Sequence, residues 1–223
     1  GIGRAIAEKF ASKGFNLVLN SRTAADLEKT AEEIKAQFPS VKLWHRAADM
    51  SDKGQVLAFA DYCLEVMDSV QILVNNAGVF LPGQLLEEPE GALEKMIETN
   101  LYSAYYLSRK IVPSMVSNQK GFIINIASIA SLMAYPGGGS YGISKFALRG
   151  FSMALREELK EKGVKVTTVM PGATWSNSWA GVELPEDRLM QASDIAESIW
   201  SIFEMSPSAV VEEIVIRPQL GDL

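Results

Sequence analysis

The chain opens with GIGRAIAEKFASKGFNLVLNSR, residues 1–22, in which a glycine-rich turn leads into a helical pattern and then into an apolar strand. Glycines at such a turn let the backbone approach a phosphate group, toward which the next helix directs its N-terminal amides. Gly1, Ile2 and Gly3 are therefore candidate phosphate contacts. A plain turn before a helix would look the same, so the rest of the chain has to separate the two interpretations.

Short β-rich runs alternate with helical patterns along the rest of the chain. Most of the runs are apolar throughout, such as ILV at 72–74 and FII at 122–124, which is typical of strands covered by helices on both faces. Ala24–Gln37 repeats apolar residues at helical spacing. The alternation predicts an α/β fold with a parallel, doubly wound sheet. The predicted strands are 16–20, 41–46, 70–74, 121–126, 164–169 and 210–216.

The sequence has no internal repeat and no linker-like tract, so we expect one dinucleotide-binding and catalytic domain over residues 1–223. In a doubly wound sheet, the strand before the glycine-rich turn is central and buried on both faces. No strand pattern precedes Gly1. We therefore expect the first strand to be missing from the given chain.

Composition narrows the class of protein. A net charge of -6 and a pI near 5.0 argue against a nucleic-acid binder, which needs a basic face. No apolar run reaches the roughly 20 residues that span a bilayer, and no secretory pattern opens the chain, so we expect a cytoplasmic protein without membrane contact.

Cys63 and His45 are the only residues of their types in the sequence. A single cysteine excludes an intrachain disulfide, and a single histidine excludes a histidine triad and a two-histidine metal site.

The end of the first strand bears on the choice of cofactor. NAD-selective sites usually carry Asp or Glu at this point to bind the ribose hydroxyls, but this strand ends at Asn20 and continues with Ser21 and Arg22. A guanidinium can bind a 2′-phosphate through paired, charge-assisted hydrogen bonds, to which Ser21 could add another. NADP(H) is therefore favoured over NAD(H). The alternative is that Arg22 is an ordinary exposed arginine in a polar turn.

Two further loops follow strands and offer cofactor contacts. Asp49 and Met50 would pass the adenine ring, although Asp49 could equally cap a helix that starts near 51–52. After ILV comes Asn75-Asn76-Ala77-Gly78, whose small residues allow a flat ligand to approach while the asparagines bind backbone groups at the strand end. Asn76, Ala77 and Gly78 are the candidate contacts.

Tyr141-Gly142-Ile143-Ser144-Lys145 carries the strongest chemical signal. Residues four apart lie on one face of a helix, so the Lys145 ammonium can lie near the Tyr141 phenol and lower its pKa. The same spacing occurs at Tyr106 and Lys110, so spacing alone cannot identify a site.

The residue thirteen positions earlier separates the two pairs. Ser128 precedes Tyr141 by thirteen residues, just after the strand GFIINIA, whereas Leu93 holds that position before Tyr106. Tyr106 also lies in a long helix with apolar periodicity, where it is expected to be a packing or surface residue. Only Tyr141 has a hydroxyl partner, so we place the site there.

These motifs, in this order, resemble the short-chain dehydrogenase/reductase family. The resemblance covers essentially the whole chain and implies a Rossmann-type sheet in three α/β/α layers. It implies that the protein is an NADP-preferring carbonyl reductase, similar to the 3-oxoacyl-carrier-protein reductases. The matching elements are GIG at 1–3, NNAG at 75–78, Asn100, Ser128 with Tyr141 and Lys145, and Pro171-Gly172.

The resemblance implies a role for each catalytic position. Tyr141 would act as general acid or base, and Lys145 would bind the nicotinamide ribose and tune Tyr141. Ser128 would hold the carbonyl oxygen, and Asn100 would maintain a water-linked proton path. From the residues alone, Asn100 could instead be a polar helix residue that satisfies backbone groups.

The last motif lies at the end of the fifth predicted strand. Pro171 and Gly172 stop this strand and let the loop pass the nicotinamide. Many relatives carry Thr four residues after the glycine, where this chain has Ser176, with Thr174 two residues earlier. Either hydroxyl could bind the carboxamide.

The segment 173–192 contains Trp175 and Trp179 and is a candidate substrate lid. The alternative is that its aromatic residues simply pack on the surface.

The functional prediction is hydride transfer between NADP(H) and a small carbonyl or secondary-alcohol substrate, without a metal. One alternative is a regulatory protein that binds NADP(H) but performs no chemistry. A sugar-nucleotide epimerase or dehydratase would normally carry a sizeable extra C-terminal region. The resemblance also implies a homodimer or homotetramer that packs through the helices containing Asn100 and Tyr141.

Overall fold

The computed structural model describes residues 1–176, 179 and 181–223. The chain forms two compact units. The first comprises Gly1–Asp49, Ala173–Ser206 and Pro218–Leu223, and the second comprises Met50–Gly172 and Pro207–Arg217. The single domain expected over residues 1–223 stays a prediction.

Helices and strands alternate as the sequence predicts. The helices are α1 (Ile2–Ser12), α2 (Ala24–Gln37), α3 (Lys53–Val66), α4 (Ala92–Ile97), α5 (Ser103–Ser117), α6 (Gly139–Leu159) and α7 (Ala192–Phe203). The strands are β1 (Leu17–Leu19), β2 (Leu43–His45), β3 (Ile72–Asn75), β4 (Gly121–Ile126), β5 (Val164–Pro171) and β6 (Glu213–Ile216). A π-helical segment, Glu98–Tyr102, joins α4 to α5, and 3₁₀ turns lie at Ile129–Ser131 and Glu186–Arg188. In the part of the chain described, no helix combines the length and apolar character that a membrane crossing requires.

In the first unit, β1 and β2 form a parallel pair, with Leu17 opposite Leu43 and Leu19 opposite His45. Buried small and branched residues from α1, α2 and the segment just before β2 pack into one cluster on this pair. The predicted helix Ala24–Gln37 is confirmed residue for residue. The buried members of the cluster are Ala7, Ala11, Ile34 and Val41.

The second unit contains a four-stranded parallel sheet in the order β3-β4-β5-β6. The two central strands, β4 and β5, are buried almost throughout, whereas burial alternates along β3 and β6, the outer strands of this order. Helices α5 and α6 cover this sheet and share a core with it. The predicted parallel sheet flanked by helices is therefore confirmed.

Candidate active site

The candidate site lies where β3, β4 and β5 end. The carboxyl ends of parallel strands meet at one edge of a sheet, so the loops that follow them converge. Asn75 ends β3, Ile126 ends β4 and Pro171 ends β5. The NNAG motif, Ser128 and Gly172 follow these three strands at the same edge.

Ser128 and Tyr141 come together in the second unit. Ser128 begins the 3₁₀ turn after β4, where its Oγ accepts a hydrogen bond from Ala130 N at 3.2 Å. Tyr141 lies in the first turn of α6, and its phenol is near enough to the Ser128 hydroxyl for hydrogen bonding between them to stabilise the phenolate. The thirteen-residue spacing thus corresponds to a contact, and two hydroxyls are directed at one place.

Burial dominates the acidity of the Tyr141 phenol. It raises the pKa of Tyr141 from its ordinary value of 10.0 to about 12, while the hydrogen bond with Ser128 acts in the lowering direction and Tyr135 adds a smaller rise. The expected net lowering of this pKa by Lys145 is therefore wrong for this structure. The physical reason is that the low-dielectric surroundings penalise the phenolate more than the nearby groups stabilise it.

Lys145 is almost completely buried beside this phenol. Its side chain is 4% exposed, and its Nζ donates a hydrogen bond to Ile126 O at 2.9 Å. Nζ lies 5.7 Å from the centroid of the Tyr141 ring. Burial lowers the pKa of Lys145 to about 8, so the group is still mostly cationic at neutral pH. An ammonium has three N–H donors, and the bond to Ile126 O uses one of them.

Asn100 clamps the loop after β3 to α6. It lies in the π-helical segment, a local widening of the helix that is often found at functional sites. Its Oδ1 accepts from Val79 N at 2.7 Å, and its Nδ2 donates to Val79 O at 3.0 Å and to Ser144 Oγ at 2.8 Å. These contacts agree with the interpretation that Asn100 satisfies backbone groups. The water-linked proton path stays a prediction.

Gly78 leaves open the space in front of Asn100 and Lys145. A Cβ at this position would lie 3.4 Å from Asn100 Oδ1 and 3.5 Å from Lys145 Nζ. Any side chain there would fill the space beside the buried ammonium. The glycine therefore keeps room for a ligand group that can accept hydrogen bonds, such as a ribose hydroxyl, as the NNAG motif predicts.

Asn75, the first residue of that motif, has a different role from the expected one. Instead of binding backbone groups, its Nδ2 donates to Asn125 Oδ1 at 2.7 Å and to Ser108 Oγ at 3.2 Å. Asn125 in turn donates to Ser152 Oγ at 2.8 Å. Because Asn75 and Asn125 are register partners on β3 and β4, their amides meet inside the sheet. Asn75 therefore stabilises the core below the site.

Two aromatic residues near Tyr141 were missed by sequence reasoning. The Phe80 ring meets the Tyr141 ring edge to face, with centroids 4.9 Å apart, and Phe80 is 41% exposed. Tyr135 is also exposed and raises the pKa of Tyr141. Phe80 comes two residues after the NNAG motif, and this position was the only signal that could have drawn attention to it.

In the first unit, the glycine-rich segment forms the beginning of α1. Gly1 is the residue before the helix, and no side-chain hydrogen bond caps this end. Ile2 and Gly3 already belong to the first helical turn rather than to a loop. The amides of this turn have no helical partners, so they can bind an anion such as a phosphate.

The end of β1 is held by hydrogen bonds to the segment after β2. Asn20 Nδ2 donates to Arg46 O at 3.0 Å, and Ser21 O accepts from Ala48 N at 3.1 Å. Arg22 follows as an exposed residue before α2. Its guanidinium is therefore accessible from solvent, as a phosphate contact requires.

The helix-cap alternative for Asp49 is wrong. Asp52 caps α3, because its side chain accepts from Gln55 N at 2.8 Å. Asp49 is half-buried and Met50 is buried in the loop that precedes this helix. Their predicted contact with an adenine ring stays a prediction.

The segment after β5 closes on itself within the first unit. Thr174 is buried and forms a β-bridge with Met190, and Trp175 N donates to Met190 O at 2.9 Å. Ser176 lies beside the start of α1: a Cβ added to Gly1 would be 3.6 Å from the Cβ of Ser176. Within the predicted lid, 173–192, residues 177, 178 and 180 lie outside the described residues. Lid motion and the carboxamide contact stay predictions.

The remaining candidates for special chemistry have structural positions. Cys63 is buried, and burial raises the pKa of its thiol to about 12, so it is not a reactive thiolate at neutral pH. His45 is exposed at the end of β2. Among the residues described, no three His, Cys, Asp or Glu side chains form a group that could hold a metal ion.

Comparison with known proteins agrees with this geometry. The family model described as short chain dehydrogenase matches residues 1–186. A sepiapterin reductase of Chlorobaculum tepidum is 34% identical over 231 aligned positions, which cover 100% of this chain and 94% of the relative. An alcohol dehydrogenase from the archaeon Thermococcus sibiricus, solved with 5-hydroxy-NADP, has a TM-score of 0.90 at 27% identity and matches over 98% of this chain and 92% of its own. A metagenomic short-chain oxidoreductase in complex with NADP has a TM-score of 0.85 at 30% identity, over 98% and 92%. The chain belongs to the short-chain dehydrogenase family.

Proposed function

We propose that this protein is a carbonyl reductase that transfers a hydride between NADP(H) and a ketone, an aldehyde or the corresponding alcohol. One observation carries the proposal: the Ser128 hydroxyl and the Tyr141 phenol lie within hydrogen-bonding reach of each other beside the buried ammonium of Lys145. A carbonyl oxygen that gains negative charge needs hydrogen-bond donors and a proton. The two hydroxyls supply both.

The proton chemistry follows from the environment of Tyr141. When bound, NADPH supplies the hydride for the carbonyl carbon. Ser128 and Tyr141 donate hydrogen bonds to the carbonyl oxygen, and Tyr141 then gives it a proton. Because burial raises the pKa of Tyr141 to about 12, the phenol keeps its proton at neutral pH until that oxygen takes it. At neutral pH the phenol is therefore in the protonated form that carbonyl reduction requires.

The second unit would bind the nicotinamide end of the cofactor. Lys145 would donate to the ribose hydroxyls, for which Gly78 leaves the space. Asn76 and Ala77 would line the same loop, and Pro171 and Gly172 would pass the ring. In the first unit, the residues at the start of α1 would bind phosphate oxygens, and Asp49 would bind the adenine amine.

The preference for NADP(H) rests on Ser21 and Arg22. Arg22 is exposed directly after β1, at the place where an acidic residue would select NAD. Two structural neighbours were solved with NADP or a derivative of it, and one relative is named a reductase. The substrate would be a small carbonyl compound. A cytoplasmic location and a homodimer or homotetramer belong to the same proposal.

The proposal is tested by the loss of NADPH absorbance with a panel of ketones, aldehydes, diketones and β-keto thioesters. We expect at least one class to be reduced in the presence of NADPH, with one alcohol formed for each NADPH consumed. Binding of NADPH without consumption by any class would overturn the proposal in favour of a regulatory binding protein.

The cofactor preference has its own test in Arg22→Ala. Loss of a charge-assisted hydrogen bond to the 2′-phosphate costs about 1.5–3 kcal/mol, so KM for NADPH should rise roughly 10- to 100-fold. KM for NADH should stay within about twofold. Lys29→Ala, which removes an exposed cation further along α2, is the matched control. Equal effects of the two variants on NADPH would show that Arg22 makes no specific contact.

A further inference from the structure

The segment 79–91 of the loop between β3 and α4 is attached at three points to elements that carry the candidate catalytic residues, and two of these points flank Phe80. At its start, Asn100 binds both backbone groups of Val79. Further along, Gly83 N donates to Gly137 O at 3.1 Å, just before α6 begins. Phe80 lies between these points, against the Tyr141 ring. The loop is therefore fixed on both sides of its contact with Tyr141.

Glu88 makes the closest attachment. Its carboxylate accepts a hydrogen bond from Ser140 N at 2.8 Å and a second one from the Ser140 hydroxyl. Gly138 precedes α6 and supplies no side-chain cap, so Glu88 satisfies this helix end from 52 positions away in the sequence. A carboxylate is also favoured at a helix N-terminus by the helix dipole.

The backbone around Ser140 is shaped for this contact. Gly139 has a φ of +30°, a conformation that side chains with a Cβ rarely adopt. A Cβ at this position would overlap Glu88 Oε1 and lie 2.8 Å from Gly83 O. Only glycine lets the loop and its carboxylate approach α6 so closely. The Glu88–Ser140 contact therefore depends on the Glu88 carboxylate and on the glycine at position 139.

We propose that Glu88 is a positioning residue, which holds the first turn of α6 through Ser140 and so keeps the Tyr141 phenol against Ser128. Ser140 directly precedes Tyr141, so a shift of this turn moves the phenol. A displacement of about 1 Å can cost on the order of 100-fold in rate. This inference rests on the proposed function for its kinetic consequence, whereas the placement of Tyr141 can be measured without turnover.

The kinetic test compares Glu88→Ala with Glu88→Gln. Alanine removes both acceptors, so we expect kcat to fall roughly 10- to 100-fold, while KM for NADPH stays within about twofold. Glutamine keeps one oxygen for Ser140 N and can donate its amide to the Ser140 hydroxyl, so kcat should return to within about threefold of the wild type. Glu87→Ala removes the neighbouring exposed carboxylate and should leave kcat unchanged.

A second measurement follows Tyr141 directly. In protein labelled with ¹³C at tyrosine Cζ, the Tyr141 signal is assigned by its loss in Tyr141→Phe, and Ser128→Ala gives the signal without the Ser128 hydrogen bond. In Glu88→Ala the signal should move toward the Ser128→Ala position, and in Glu87→Ala it should stay at the wild-type position.

The outcomes separate this inference from the proposed function. A wild-type Tyr141 signal in a folded Glu88→Ala protein, with only a lower unfolding temperature, would show that Glu88 is a helix cap and no more. If the wild type consumed no NADPH with any carbonyl while the Tyr141 signal still moved, the proposed function would fail and the positioning role of Glu88 would stand.

Discussion

Two Tyr-xxx-Lys pairs of identical spacing occur in the second unit, and their surroundings differ in almost every respect. Lys145 is 4% exposed, lies 5.7 Å from the Tyr141 ring and binds a backbone carbonyl. Lys110 instead extends into solvent and pairs with Asp61 at 2.8 Å. Tyr106 lies under the ammonium of Lys53, at 4.8 Å, in a surface group of tyrosines. Helical spacing brings residues to one face, and the surroundings of that face determine their chemistry.

The partner at the end of β4 makes the largest difference. Tyr141 meets the Ser128 hydroxyl, which the 3₁₀ turn after β4 holds in place. Burial then raises the pKa of Tyr141 and lowers that of Lys145, so both groups are perturbed at one place. Clusters of perturbed groups of this kind mark functional sites more often than structural ones.

The sharpest test of this comparison is Tyr141→Phe against Tyr106→Phe. Loss of a general acid typically costs 10²- to 10⁴-fold, so kcat for NADPH oxidation should fall by about that factor in Tyr141→Phe. The dissociation constant for NADPH should stay within about twofold, because the phenol acts chiefly in the transition state. Tyr106→Phe should retain full activity. If the two variants reduced kcat equally, the assignment of the site to Tyr141 would fall.

The two lysines should differ in how they affect stability as the pH rises. The folded pKa of Lys145 is about 8, below its ordinary value of 10.5, so between these values the unfolded state binds more protons. The free energy of unfolding should therefore rise with pH across this window, by up to about 3 kcal/mol from Lys145.

Urea titrations at about pH 7.5, 9 and 10.5 would measure this effect across the range between the two pKa values of Lys145. Lys145→Met should remove the rise, and Lys110→Met should keep it. Parallel pH curves for the wild type and Lys145→Met would contradict a lowered pKa. The same Lys145→Met protein should also bind NADPH more weakly, because the ribose loses its ammonium donor.

Asn100 connects the two pairs, because it lies in the π-helical segment that leads into the helix of Tyr106, while its side chain contacts the loop and helix around Tyr141. Asn100→Ala would remove the hydrogen bonds of Asn100 to Val79 N, to Val79 O and to the Ser144 hydroxyl. We expect a loss of about 1–3 kcal/mol in the free energy of unfolding, measured by urea denaturation. Activity should fall along with it, since the loop after β3 loses its anchor.

Asn118 provides the control for this substitution. It follows the last residue of α5, the helix that continues the Asn100 segment, and makes a long 3.5 Å contact with Ser69 at the exposed surface. Asn118→Ala should therefore change the free energy of unfolding by less than about 0.5 kcal/mol. A loss as large as that of Asn100→Ala would mean that the clamp on Val79 adds no special stability.

Local pattern was enough to predict much of this architecture. The strand runs and the bounds of α2 follow from periodicity. The choice of Tyr141 over Tyr106, made from a hydroxyl at a fixed distance along the chain, stays a prediction. Strand β3 begins two residues later than predicted, because the pattern does not show which residue first pairs with β4.

Other features depend on contacts between distant segments. Glu88 is one of many acidic residues in the sequence, and only the folded loop brings it to Ser140. The amide of Asn75 meets Asn125 because the two are register partners, which no local pattern reveals. The rise in the pKa of Tyr141 likewise depends on how much chain covers the phenol. Burial of this kind is a property of the tertiary structure, so the opposite sign was predicted from the adjacent lysine alone.

Substitution of Lys110, the lysine of the second Tyr-xxx-Lys pair, should have only a small effect. The Lys110–Asp61 ion pair is largely exposed to water, since the two side chains keep 43% and 61% of their accessible surface. Exposed pairs of this kind contribute about 0–1 kcal/mol and are screened by salt. At neutral pH, Lys110→Met should therefore shift the free energy of unfolding by less than about 1 kcal/mol, and less still at high ionic strength, with kcat unchanged. A loss of activity in this variant would mean that the second Tyr-xxx-Lys pair contributes to catalysis, which its exposed surroundings give no physical reason to expect.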